Sequence, residues 1–133
     1  MTLDGNIQQT IHEVAAETQA GELIFPEVVR RLLAVGVESY FIDFATGNET
    51  FYLTNGGTYT ETMLLPLHAI AKDFSKEGIV AAIRGAQADT VRYPEFVRLA
   101  TSAGIIGYWA FLTGKQVTYF GRKGEQHTER FPQ

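Results

Sequence analysis

Residues 25–61, FPEVVRRLLAVGVESYFIDFATGNETFYLTNGGTYTE, and residues 93–129, YPEFVRLATSAGIIGYWAFLTGKQVTYFGRKGEQHTE, are two versions of one text. At a constant offset of 68 they share Pro26/Pro94, Glu27/Glu95, Val29/Val97, Arg30/Arg98, Gly36/Gly104, Tyr40/Tyr108, Thr50/Thr118, Gly56/Gly124, Thr60/Thr128 and Glu61/Glu129. Self-similarity of this length constrains the fold more than any single motif, because each copy must build the same unit and bury the same face. Most of the shared prolines and glycines shape the backbone rather than carry a reaction.

In the first copy, Ile7, Ile11, Val14, Ala15 and Thr18 recur at helical spacing over 7–18, with Asp4 as a cap, and Gly21 breaks the helix. Pro26 opens a second helix where its missing N–H is not needed, and Glu27 meets the positive end of the helix dipole. Val28, Val29, Leu32 and Leu33 form the buried stripe, Arg30 and Arg31 face away from most of it, and Gly36 closes the helix in the left-handed region. Strands follow over 37–45, 49–54 and near 58–62, separated by Thr46-Gly47-Asn48 and Asn55-Gly56-Gly57 turns.

The second copy predicts the same order. Ser75 caps a helix carrying Ile79, Ala82, Ile83 and Ala86, in which Gly85 marks either a close helix–helix approach or an idle surface position. Pro94-Glu95 opens the next helix, which buries Phe96, Val97, Ala100 and Ala103, and strands follow over 105–113, 116–121 and from Gln126. The joining segment 62–74 is apolar and reads as partly helical. The 133 residues therefore read as a single domain of two repeats, about 4–64 and 72–132. The expected fold is α+β, an internal duplication of an ααβββ unit giving an antiparallel sheet of about six strands with helices packed on one face.

An antiparallel strand with one wet face alternates apolar and polar residues. Here Ile106, Tyr108, Ala110 and Leu112 point one way and Ile105, Trp109 and Phe111 the other, while Tyr40, Ile42 and Phe44 oppose Val37 and Phe41. Both faces are apolar. The face that the helices leave open must meet a subunit, a ligand or the sheet's own curl, so Phe41, Trp109 and Phe111 are the predicted interface residues and a homodimer the predicted assembly.

A net charge of −4 argues against nucleic acid and acidic membranes as partners. There is no cysteine, which removes disulfides and thiolate chemistry. No apolar stretch approaches the ~20 residues of a spanning helix, and MTLDGNIQQTIHEV lacks a basic start followed by an apolar run, so a cytoplasmic protein is expected. His12, His68 and His127 are scattered without ligand spacing, which predicts no metal. No phosphate loop, nucleophile elbow or serine triad is readable, and no cofactor is expected.

YPEF (93–96), AGIIGYWAFLTGKQVTYFGRKGE (103–125) and HTERFP (127–132) resemble the family catalogued as DUF1398, also called YbcV-like. GVESYFIDF (36–44) and ETFYL (49–53) resemble that family's N-terminal half. The resemblance covers most of the chain and implies an α+β fold and an association with bacteria and their prophages, under the label phage envelope protein. It implies no catalytic residues.

Candidate chemistry lies at a few positions. Tyr40 and Tyr108 are shared by both copies; each is either a core tyrosine whose hydroxyl finds a backbone carbonyl or Glu27/Glu95, or a pocket-lining phenol. His127 and Glu129 fall on one face of a strand, where a carboxylate orients an imidazole, either as half of an acid–base site or as an edge pair. Asp43 stands mid-strand among aromatics where the other copy has Phe111, either as a buried acid or as a carboxylate facing water. Residues 46–62 carry Glu49 and Glu61, a charge of −2, whereas 114–130 carry Lys115, Arg122, Lys123 and Arg130 against Glu125 and Glu129, a charge of +2. Two functional readings result. One is a non-enzymatic self-associating or partner-binding module; the other is a small-ligand-binding or enzymatic domain, with an unspecified ligand held between the repeats near Tyr40, Asp43, Tyr108, His127 and Glu129.

Overall fold

The computed structural model describes residues 5–131 and runs helix, helix, strand, strand, strand twice over. The first half contains α1 (Gly5–Gln19), α2 (Phe25–Ala34), β1 (Val37–Asp43), β2 (Asn48–Leu53) and β3 (Thr58–Thr62). The second contains α3 (Lys76–Gln87), α4 (Tyr93–Ser102), β4 (Ile105–Phe111), β5 (Gln116–Gly121) and β6 (Gln126–Arg130). Asp4, the expected cap of α1, lies outside the described residues. Pro26 and Pro94 sit in the opening turns of α2 and α4, and Ser75 caps α3 by accepting from Gly78 N at 3.0 Å.

The six strands form one antiparallel sheet in the order β3-β2-β1-β4-β5-β6. At the seam, Phe41 pairs with Trp109, positions that the offset of 68 makes equivalent. Each equivalent backbone bond also recurs, Leu112 N to Glu38 O and Phe44 N to Ile106 O, both at 2.9 Å. A local two-fold axis therefore passes through the Phe41–Trp109 pair.

The strands differ from strict alternation at matched places. The register shifts between Val37 and Ser39 in β1 and between Ile105 and Gly107 in β4. One extra residue in each strand reverses the phase before it. Val37 and Ile105, expected on the face of Phe41 and Trp109, are instead fully buried in the core with Tyr40 and Tyr108. Beside the second bulge β1 and β4 come so close that a Cβ on Gly107 would lie 2.4 Å from Ile42 O, so only glycine fits.

One core gathers Ile11 and Val14 from α1, Val28 and Leu32 from α2, Ile79 and Ile83 from α3, and Phe96 and Val97 from α4. These pack on one sheet face, formed by Tyr40, Ile42, Phe51, Leu53, Tyr108, Ala110, Val117 and Tyr119. Leu33, expected in the stripe of α2, is exposed. Residues 63–75 form no helix. Pro66 disfavours one, and the segment is held by backbone bonds from Met63 N to Gly47 O, Ala71 N to Thr101 O and Ser75 N to Ala103 O. Gly85 does mark a close approach, but the neighbour is the chain's own return after α3: a Cβ there would meet Val91 Cγ2 at 2.5 Å.

Candidate functional site

Alternation through the register puts two transverse rows on the sheet face that carries no helix. Tyr52, Ser39, Phe111, Gln116 and Arg130 are successive partners across β2, β1, β4, β5 and β6. The next row is Thr60, Thr50, Phe41, Trp109, Thr118 and Thr128. Trp109 stacks on Phe111 (centroids 5.5 Å apart, 12° between planes) and on Tyr52 (5.5 Å, 25°), and meets Phe41 edge-on at 5.4 Å. Phe120 joins from β5, 6.4 Å from Phe41. All five rings are partly buried by one another. The Trp109 Nε1 donor is covered and has no hydrogen-bond partner, an unusual state for a buried N–H. A cavity of about 600 Å3 opens at the Tyr52 to Arg130 row, rimmed by Glu38, Thr113 and Gly114.

Of the residues singled out from sequence, Tyr40 and Tyr108 come together on the opposite, helix-covered face, with ring centroids 6.2 Å apart. The Tyr108 hydroxyl partners the Tyr93 hydroxyl at 2.8 Å, not Glu95, which pairs with Arg98 on the surface. Burial pushes both phenols up, and for Tyr108 the neighbouring Tyr93 adds to it. His127 Nε2 lies 3.1 Å from Glu129 Oε1, as the two-residue spacing suggests. That carboxylate is also gripped by both Nη atoms of Arg84 from α3, and this hydrogen bonding is what chiefly holds it below the usual carboxylate range. His127 partners Tyr119 in the register and lies three strands out from Tyr40. Asp43 joins neither group: its Oδ1 accepts from Ala45 N at 2.8 Å and from Thr46 N at 3.3 Å, closing the turn after β1.

Sequence reasoning missed Glu49. It is 4% exposed, points to the helices beside Phe51 and Leu53, and its register partner is Glu61. Burial, and secondarily Glu61, pushes its carboxyl up to about 8. Gln19 Nε2 donates to it at 3.4 Å, and Gln19 Oε1 accepts from Leu64 N at 2.6 Å. The signal was available, since period two in NETFYL places Glu49 on the face of Phe51 and Leu53. The apparent charge asymmetry changes too. Glu49 is buried and Glu61 is held by His12 Nδ1 at 2.8 Å, so neither faces outward, whereas Lys115, Arg122, Lys123 and Arg130 are exposed.

Among the described residues no three His, Asp or Glu side chains converge as metal ligands would, and no helix is long and apolar enough to cross a membrane. The family model described as a protein of unknown function (DUF1398) matches residues 9–129. No curated protein matches the chain.

Proposed function

The chain belongs to the DUF1398 family, and from that premise we propose that it is a non-enzymatic binding module, a single domain of two repeats that pairs with a second copy through its open aromatic face. The observation that carries this reading is the cluster of Phe41, Tyr52, Trp109, Phe111 and Phe120 at the centre of a sheet whose other face takes the helices. Aromatic side chains of this kind dominate the energetics of protein interfaces. The row through Phe41 and Trp109 is otherwise threonine. Two copies can meet there without burying an ionised group, the usual cost of a polar interface. The resemblance of 36–53 and 93–132 supports a bacterial, prophage-associated origin as part of this proposal.

Light scattering over rising concentration tests it. The chain should run as a dimer, and Trp109→Ala and Phe41→Ala should each weaken the association at least tenfold, as loss of a central aromatic anchor does. A chain that stays monomeric at high concentration, or a dimer indifferent to both substitutions, rules the pairing out. The second reading, small-ligand binding, is supported by the cavity of about 600 Å3 beside Trp109 and Arg130, and a thermal-shift screen on the parent chain distinguishes it, since any hit at this site should be lost in the Trp109→Ala variant.

A further inference from the structure

Two helices occupy matching places over the outer strands of the two halves, and they are fastened differently. On α3 the tie is Arg84, whose guanidinium takes both oxygens of Glu129 at 3.0 and 3.1 Å and keeps its charge at any pH a protein survives. On α1 the ties are His12 to Glu61 and Gln19 to Glu49, seven residues apart on one helix face, and the second ends on a buried carboxyl instead of a bidentate ion pair. The position matching Glu49 in the second half is Val117, buried in the core, so this acid belongs to the first half alone.

On balance the surroundings of Glu49 disfavour a charge: burial and Glu61 oppose it, and they outweigh the long 3.4 Å bond from Gln19 Nε2, which favours the ionised form. Facing it are Gln19 from α1, Glu61 from β3, Tyr40 from β1, and, through their effect on one another, Tyr108 from β4 and Tyr93 from α4. The His12 ring is bound to Glu61 and is itself mostly exposed. The other acids of α1, Glu13 and Glu17, turn to Arg31 of α2. Ionising Glu49 therefore puts a second negative charge beside Glu61 under α1. The Arg31 contacts persist and give the helix a tether to α2.

We propose that α1 is a pH-released cover on the first half, docked on β2 and β3 while Glu49 is protonated and loosened from them, still tethered to Arg31, when Glu49 ionises. Burial raises Glu49 to about 8, and every tenfold by which the docked helix tightens proton binding makes opening tenfold easier once the pH has passed that value.

Hydrogen–deuterium exchange on the intact chain at pH 6 and pH 9.5, expressed as protection factors, reads this directly. The protection of α1 should fall at least tenfold relative to that of α3 between the two conditions. Glu49→Gln, and Glu49→Val, which copies Val117, should keep α1 protected at both. Equal loss in α1 and α3 would mean global destabilisation and overturn the proposal, as would variants that behave like the parent chain. Should neither variant fold, the α1 to α3 ratio in the parent chain decides alone.

Discussion

Glu49 and Val117 stand at one place in two halves, and a carboxyl group separates them. An acid raised from its ordinary 4.5 to about 8 in the folded state binds its proton more tightly there than in the unfolded chain. Its stabilising contribution is complete below about pH 4.5 and is lost as pH rises through about 8. Urea unfolding at pH 5 and pH 9 should show stability falling by a few kcal/mol, at about 1.4 kcal/mol for each tenfold difference in proton affinity and capped by the energy that docks α1. The Glu49→Gln variant should flatten that dependence; a parent chain equally stable at both pH values would contradict the assignment. Glu49 was legible in the strand period. The hydroxyl partner of Tyr108 was not, because Tyr93 sits at a helix start with no sequence relation to β4, and only packing of α4 on the sheet joins them. Asp43 had the opposite fate: its two amide partners lie within three residues, so a local turn claimed a residue that looked like part of a site.

At the scale of elements, the helix starts were the most readable features, since caps and prolines act through neighbouring backbone. Ser75 accepts from Gly78 N, as its place before the apolar run suggests. Replacing it by alanine should cost about 1 kcal/mol in thermal or urea unfolding, the usual worth of an N-cap; no measurable loss would mean that the cap is redundant with the Ser75 N to Ala103 O bond. Strand phase was less readable. The bulges around Glu38 and Ile106 move Val37 and Ile105 into the core, and a count by twos misses an inserted residue. The segment 63–75 misled for another reason. Its apolar content reflects packing of Met63, Leu65, Ile70 and Phe74 against the core from an extended path, and composition alone does not separate that from a helix.

At the scale of the whole molecule, the two halves are joined where their first strands pair, with Tyr40, Ile42, Tyr108 and Ala110 packed across the seam. A fragment of residues 1–64 would expose the long edge of β1 and half of a core of this kind, at a size where burial barely offsets chain entropy. Circular dichroism should find it largely unfolded; a cooperative melt would show that each half stands alone. The repeat in the sequence determined the element order, the helix ends, the turns and the equivalence of Phe41 with Trp109, because these follow from local conformational preference and period. Tertiary structure decided which phenols meet, that Glu61 is held by His12 of α1, that Arg84 of α3 grips Glu129, and that five rings gather on one open face. Those outcomes depend on which strands and helices approach one another in space, a choice made by packing and desolvation over long separations that no local pattern records.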